Sequence, residues 1–291
     1  MAKVPSPSLP APLLKLFSYF PLHTYPAIPS PNSAQLVTRP TLWIHPPPNV
    51  ETSILSSDVE CLKWQAYIAL RGLKDIQVRW DIAPDGGIEG GLPNLHLSPK
   101  EAESEKDLGG LLSSHLIAEW VDKQAGDAGP LEGYLDDSAK DESRAWITLL
   151  EGKIHAALAL SQRPPFSAWS LLTPFPSSGR PVETTLNPPP PPLSGLSSLL
   201  PPYGTHIDRH TVEFEYKQAI SSLSERLGTD RWFLGSTQPT ALDALAFAYL
   251  HSLLKCKENT FRFEVSRRVN LIAWEHRVQS EIEAAFKPYK P

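Results

Sequence analysis

The sequence predicts an α/β unit followed by an all-helical one, and three observations carry that expectation. Two short runs, Ile76-Gln77-Val78-Arg79-Trp80 and Leu92-Pro93-Asn94-Leu95-His96-Leu97, alternate apolar and polar residues as half-buried strands do. Downstream, apolar residues recur at helical spacing in one segment after another. Between those helices, Pro164 to Pro202 gathers much of the chain's complement of 31 prolines, with Pro188 to Pro192 in a row. Such a stretch cannot join a helix and reads as a surface loop. The expected organisation is a Pro-rich arm over residues 1–40, an α/β domain over 41–130, and a helical domain over 131–291 with its Pro-rich loop at about 164–205.

Element by element, Thr41-Leu42-Trp43-Ile44-His45 is a β-prone run stopped by three prolines, which suits a first strand. A helix follows, capped by Ser57 or Asp58, with Val59, Leu62, Ala66, Ala69 and Leu73 on one face and Gly72 as its stop. After the strand at 76–80, the glycines Gly86, Gly87, Gly90 and Gly91 make a turn. Pro93 then sits at the beginning of the next strand, where a missing amide does least harm. Glu101 to Asp107 reads as a solvated turn and Leu108 to Val121 as a second helix. The helical part comprises Ser138 to Leu160 (Trp146, Leu149, Leu150 and Ile154 inward) and His210 to Leu227 (Val212, Tyr216, Ala219, Leu223 and Leu227 inward). Ala241 to Leu254 is apolar nearly all round, which marks a buried central helix. Glu264 to Phe286 closes the chain, with Val265, Val269, Ile272 and Ile282 inward.

Composition narrows the function. Of 291 residues, 41% are hydrophobic and 20% charged, and the net charge is -5. That leaves ample apolar surface for cores and argues against a nucleic-acid partner, which needs a basic face. Two cysteines, Cys61 and Cys256, lie too far apart in sequence for a metal-type spacing, so neither a disulfide framework nor a metal site is expected. The start, MAKVPSPSLPAPLL, lacks a basic segment followed by an apolar core, so no secretory signal is expected. The longest apolar run contains Asp243 and His251 and falls short of the roughly 20 residues a spanning helix needs. Membrane association, if any, is expected to come through a partner.

The residues that carry chemistry are few. His206 and His210, with Asp208 between them, straddle the start of a helix, and nothing nearby completes a ligand set. The turn Gly86 to Gly91 lacks the lysine of a phosphate loop. Cys61 on the first helix reads as a small core residue, and most of the eight tryptophans read as core. No catalytic residue and no cofactor are expected. Thr240 and Asp243 are spaced as a capping box for the central helix, a feature worth about 1 kcal/mol or more.

One segment is more specific: Leu223 to Gly235, ending in Trp232-Phe233-Leu234-Gly235, followed by Pro239-Thr240-Ala241-Leu242-Asp243-Ala244-Leu245-Ala246-Phe247. It resembles the C-terminal domain of the glutathione transferase superfamily, and its Pro-Thr-x-Leu-Asp-Ala-Leu-x-Phe variant resembles the metaxin family. Asp58 to Tyr67 is similar to the metaxin first helix, and Gly91-Leu92-Pro93-Asn94-Leu95 stands where the superfamily has its cis-proline turn. Ahead of the first strand, Leu16-Phe17-Ser18-Tyr19-Phe20-Pro21-Leu22-His23-Thr24-Tyr25 resembles the Phe-Pro-Leu-x-Thr-Tyr stretch of the metaxin-like peripheral subunits of the fungal mitochondrial sorting and assembly machinery.

The resemblance implies a glutathione-transferase-like fold, with an N-terminal thioredoxin-like half and a C-terminal helical bundle. It implies a non-catalytic, peripheral protein on the cytosolic face of the mitochondrial outer membrane. Its partners would be the barrel-forming assembly subunit, a second metaxin-like subunit and β-barrel precursors. Phe17, Tyr19, Phe20, Pro21, Leu22, Thr24 and Tyr25 would contact a partner. The alternative is a glutathione-dependent transferase. That chemistry wants a hydroxyl at the start of the first helix, for which Ser56 or Ser57 is the candidate, against the plainer role of a Ser57 cap. It also wants an acid followed by serine before the next helix. Ser113-Ser114 lies there without the acid.

Overall fold

A computed structural model describes residues 37–51, 53–83, 86–98, 110–126, 131–162 and 208–288. The N-terminal aromatic segment from Phe17 to Tyr25, the acidic stretch 101–107, the Pro-rich loop and His206 lie outside them. The strands are β1 (Thr41–Trp43), β2 (Ile76–Arg79), β3 (Asn94–His96), β4 (Leu111–Leu112) and β5 (Phe286–Pro288). They form one mixed sheet in the order β4-β3-β1-β2-β5. β1 and β2 run parallel with Leu42 opposite Val78, while β1 and β3 run antiparallel with Trp43 opposite Asn94.

Parallel strands cannot be joined by a hairpin, and helix α1 (Val59–Leu70) makes the crossover from β1 to β2. Asp58, not Ser57, caps it: the Asp58 carboxylate accepts the Cys61 amide at 3.0 Å. A carboxylate is the better acceptor at a helix start, because it also meets the positive end of the helix dipole. Gly72, at φ +83°, makes the left-handed stop. Helix α2 is Ser114–Ala125, shorter than the sequence reading placed it. Leu111 and Leu112 form the edge strand β4 instead, with Leu112 in the core. A two-residue strand is too short for its alternation to register in a sequence. Tyr67 and Arg71 of α1 both bond Asp122 of α2, at 2.7 and 2.6 Å, and lock the two helices together.

Helix α3 runs Asp137–Leu149, passes through a π-helical turn at Leu150–Ile154, and continues as His155–Ser161. Leu150 and Ile154 of that turn are buried, while Trp146 and Leu149 only flank the core. Helix α4 (Arg209–Leu227) buries Tyr216, Ala219, Leu223 and Leu227, as its periodicity predicts. Helix α5 (Ala241–Lys255) is buried along most of its length and packs against α1. His251 of α5 and Glu275 form a buried pair at 2.6 Å.

The expected closing helix is broken in two, α6 (Asn259–Ser266) and α7 (Val269–Ala285). The break at Arg267 and Arg268 resets the helical phase. Leu271, Trp274, Val278 and Ile282 face inward, and Val269, expected inside, is 79% exposed. After α7 the chain returns to the sheet. β5 pairs parallel with β2, Ile76 opposite Phe286, and buries Phe286 to 4% exposure. Lys287 sits against Asp75, and Pro288 ends the strand without an amide to offer. The β2 edge is therefore closed by the chain's own C-terminal residues. Replacing Phe286 by alanine is expected to destabilise the fold by about 3 kcal/mol. Lys287→Ala, at the exposed rim, is expected to change stability by less than about 0.5 kcal/mol. Urea denaturation of the two variants checks the contrast.

Candidate functional site

The strand register gathers the candidate residues at one end of the sheet. Trp43 at the C-terminal end of β1 is opposite Asn94 at the start of β3. The chain leaving β1 therefore passes beside the turn that holds Pro93. The Leu92–Pro93 peptide is cis, in the place the resemblance gives to a cis-proline turn. The glycine-rich turn closes over it. A Cβ on Gly87 would stand 2.1 Å from the Gly91 carbonyl oxygen, so only glycine fits. The Ile88 amide donates to Asn94 Oδ1 at 2.9 Å, and Asn94 Nδ2 donates to the Pro93 carbonyl.

On the other side, the loop from His45 to Ser57 is stitched to the start of α1. The fully buried Gln65 side chain accepts the Ser56 amide at 2.9 Å and donates to the Ile54 carbonyl at 3.0 Å. The Ser56 hydroxyl donates to the His45 carbonyl at 3.0 Å and accepts the Asp58 amide at 3.1 Å. The Ser57 hydroxyl donates to the Pro46 carbonyl at 2.8 Å. Both hydroxyls at the helix start thus have their protons engaged by backbone carbonyls. Stabilising a bound thiolate would require one of those protons to be aimed outward.

The same loop brings together residues that the sequence reading kept apart. The side-chain donors of His45, Asp58 and Cys61 all lie within 4.8 Å of one another. Cys61 is buried, as expected of a core residue. Burial, reinforced by the Asp58 carboxylate, pushes its thiol well up, so it is protonated at neutral pH. Asp58 and Cys61 are neighbours on one helix face. His45, however, arrives only because the loop folds back onto the helix start, and no local spacing signals that.

At the junction of β4 and α2, Ser113 Oγ lies 3.0 Å from His115 Nδ1. The residue before Ser113 is Leu112, whose side chain is in the core, so no acid stands at that position. A carboxylate does reach the neighbourhood from elsewhere: Glu89 Oε2 lies 3.5 Å from His115 Nδ1. Both partners are more than half exposed, which makes this a weak solvent-screened pair. Glu89 sits in the glycine-rich turn 86–91, where no spacing or pattern in the sequence singles it out. Glu89 holds φ +60° there, in a single turn of 3₁₀ helix.

Thr240 and Asp243 do more than cap a helix. The Asp243 carboxylate accepts the Thr240 amide at 2.8 Å, the Thr240 hydroxyl at 2.7 Å and the Phe233 amide at 2.9 Å. It thereby ties the Phe233-Leu234-Gly235 turn to the start of α5. Burial nonetheless pushes its carboxyl up to about 6 from 3.8, against the lowering effect of these donors. At the start of α4, Asp208 caps by accepting the His210 amide and the Thr211 hydroxyl, so His210 belongs to a cap.

Comparison with known proteins bears on the fold. Residues 216–278 match the family model described as the C-terminal domain of glutathione S-transferase. A GST-like protein from Pseudomonas syringae is 12% identical, with 87% of this chain and 70% of that one aligned at a TM-score of 0.50. A glutathione transferase family member from Pseudomonas fluorescens, solved with two glutathione bound, is 12% identical over 92% of this chain and 97% of that one, at a TM-score of 0.48. No curated protein sequence matches the chain. The chain has a glutathione-transferase-like fold: a small mixed sheet in a thioredoxin-like N-terminal part, then a helical C-terminal part.

The Asp243 network makes a prediction with a definite sign. The folded carboxyl holds its proton to about 6 and the unfolded one to 3.8, so between those values the folded state binds the extra proton. Its contribution is therefore full below about pH 4 and declines as pH rises through 6. The stability gap between wild type and Asp243→Asn, read by urea denaturation, is expected to narrow by about 2 kcal/mol from about pH 4.5 to about pH 7. A gap that widens over that range would contradict this.

Proposed function

We propose that the chain is a non-catalytic scaffold, the peripheral subunit of the mitochondrial outer-membrane machinery that assembles β-barrel proteins. The observation that supports a role without catalysis is the engagement of both helix-start hydroxyls. Ser56 and Ser57 donate to the His45 and Pro46 carbonyls and so serve the loop rather than a substrate. Among the described residues no helix is long and apolar enough to cross a membrane, so attachment in this reading comes through protein partners. The barrel-forming subunit would be contacted from the cytosolic side, with a second metaxin-like subunit and barrel precursors as further partners. The resemblance of Phe17 to Tyr25 to the metaxin-like subunits supports that assignment, and its aromatic side chains suit an interface anchor.

The second reading, a glutathione-dependent transferase, is favoured by the fold and by the cis-Pro93 turn. Affinity purification from detergent-solubilised outer membranes separates the two. The scaffold reading expects a stoichiometric barrel membrane protein in the eluate, lost on deletion of residues 1–30 while the isolated chain keeps its fold. The transferase reading expects a chain recovered alone, with turnover of a generic electrophile by reduced glutathione that Ser57→Ala removes.

A further inference from the structure

We propose that His45, Asp58 and Cys61 form a binding site for a zinc ion. The three residues offer an imidazole nitrogen, a carboxylate oxygen and a sulfur. This is a donor set suited to a borderline-soft divalent cation and unlike the all-oxygen sets of calcium and magnesium. Their donor atoms lie within 4.8 Å of one another. Tetrahedral zinc, with bonds of about 2.0–2.3 Å, wants donors roughly 3.3–3.8 Å apart. A contraction of about an ångström, within reach of side-chain rotation, therefore closes the site.

The Cys61 sulfur already faces the His45 backbone, the Ser56 hydroxyl and the Asp58 carboxylate, and the other two donors have atoms to spare. Asp58 uses Oδ2 to cap the helix, which leaves Oδ1 for a ligand. Neither ring nitrogen of His45 has a hydrogen-bond partner among the described residues. Cys61 lies at the buried floor, with His45 and Asp58 half-buried at the rim, so an ion enters from the solvent side and meets the thiol last. As the zinc–sulfur bond forms, the thiol proton passes to solvent.

What sets these residues apart from a chance cluster is the scaffolding of the least local ligand. His45 is held through its own carbonyl by the Ser56 hydroxyl, and Ser56 is held through its amide by the buried Gln65. The Ser57 hydroxyl fixes the next carbonyl, that of Pro46. The side chains of Ser56, Ser57 and, from the second turn of α1, Gln65 thus position the His45 segment beside Cys61 and the cap residue Asp58. Three protein ligands leave a fourth position of the tetrahedron for water or for an incoming group, the open kind of zinc site. The site is independent of the scaffold role proposed above: it neither requires nor excludes a protein partner.

Cobalt(II) reports the ligands directly, because a cobalt–thiolate bond gives an intense near-ultraviolet charge-transfer band. The full-length, tag-free chain, stripped with chelator, is titrated with cobalt(II) and then with zinc(II). The expected result is saturation at one equivalent with that band, and its loss on adding one equivalent of zinc. Cys61→Ser is expected to abolish the band, Cys256→Ser to leave it unchanged, and His45→Ala to weaken cobalt affinity at least about tenfold. Circular dichroism reports whether each variant is folded. No band at excess cobalt, or a band that survives Cys61→Ser, overturns the proposal. If Cys61→Ser does not fold, an unchanged affinity in His45→Ala overturns it equally.

Discussion

The hydrogen bonds of the buried Gln65 side chain govern the chemistry this fold can do. One side-chain amide accepts from the Ser56 backbone and donates to the Ile54 carbonyl, closing the loop between β1 and α1 onto the helix. Burying a primary amide is tolerated only when its donor and acceptor are matched, and here each has a partner. Everything at this end of the sheet inherits that geometry. The hydroxyls of Ser56 and Ser57 face carbonyls because the loop lies where Gln65 holds it. His45 stands over Cys61 for the same reason. A loop released from Gln65 would free both hydroxyls and take His45 away from Asp58 and Cys61, which the helix start keeps together.

The helical half has a counterpart in Asp243. Its carboxylate gathers two amides and a hydroxyl from the turn before α5 and from the helix start. Each half is thus organised by one buried polar side chain that bonds backbone across a loop. Neither depends on an ion pair, and each is costly to lose because the orphaned partners would remain buried. Apolar packing supplies the bulk of the stability, while these two groups fix which loop conformation the packing accompanies.

How much of this was legible in the sequence follows from the range of each interaction. The helices 59–70, 209–227 and 241–255 announce themselves through periodicity and caps, because those signals are local. The capping box of Thr240 and Asp243 is visible for the same reason, and the resemblance marks Pro93. β4 and β5 are not visible: β1 and β3 lie inside longer β-prone or alternating runs, whereas Leu111-Leu112 has no such flanks and β5 exists only by pairing with residues some two hundred positions away. The break before Val269 shifts the helical phase, which residue counting carries through unbroken. At the site, Asp58 and Cys61 are readable as neighbours, but His45 and Glu89 are delivered by loop closure. Sequence order gives their chemistry and not their company.

The central claim is that, among the described residues, both hydroxyls at the start of α1 give their protons to backbone carbonyls and neither is aimed at a thiolate. Calorimetric titration of the full-length chain with reduced glutathione tests it most directly. The account predicts no saturable heat at millimolar ligand. Stoichiometric, saturable binding that Ser56→Ala or Ser57→Ala weakens would contradict it.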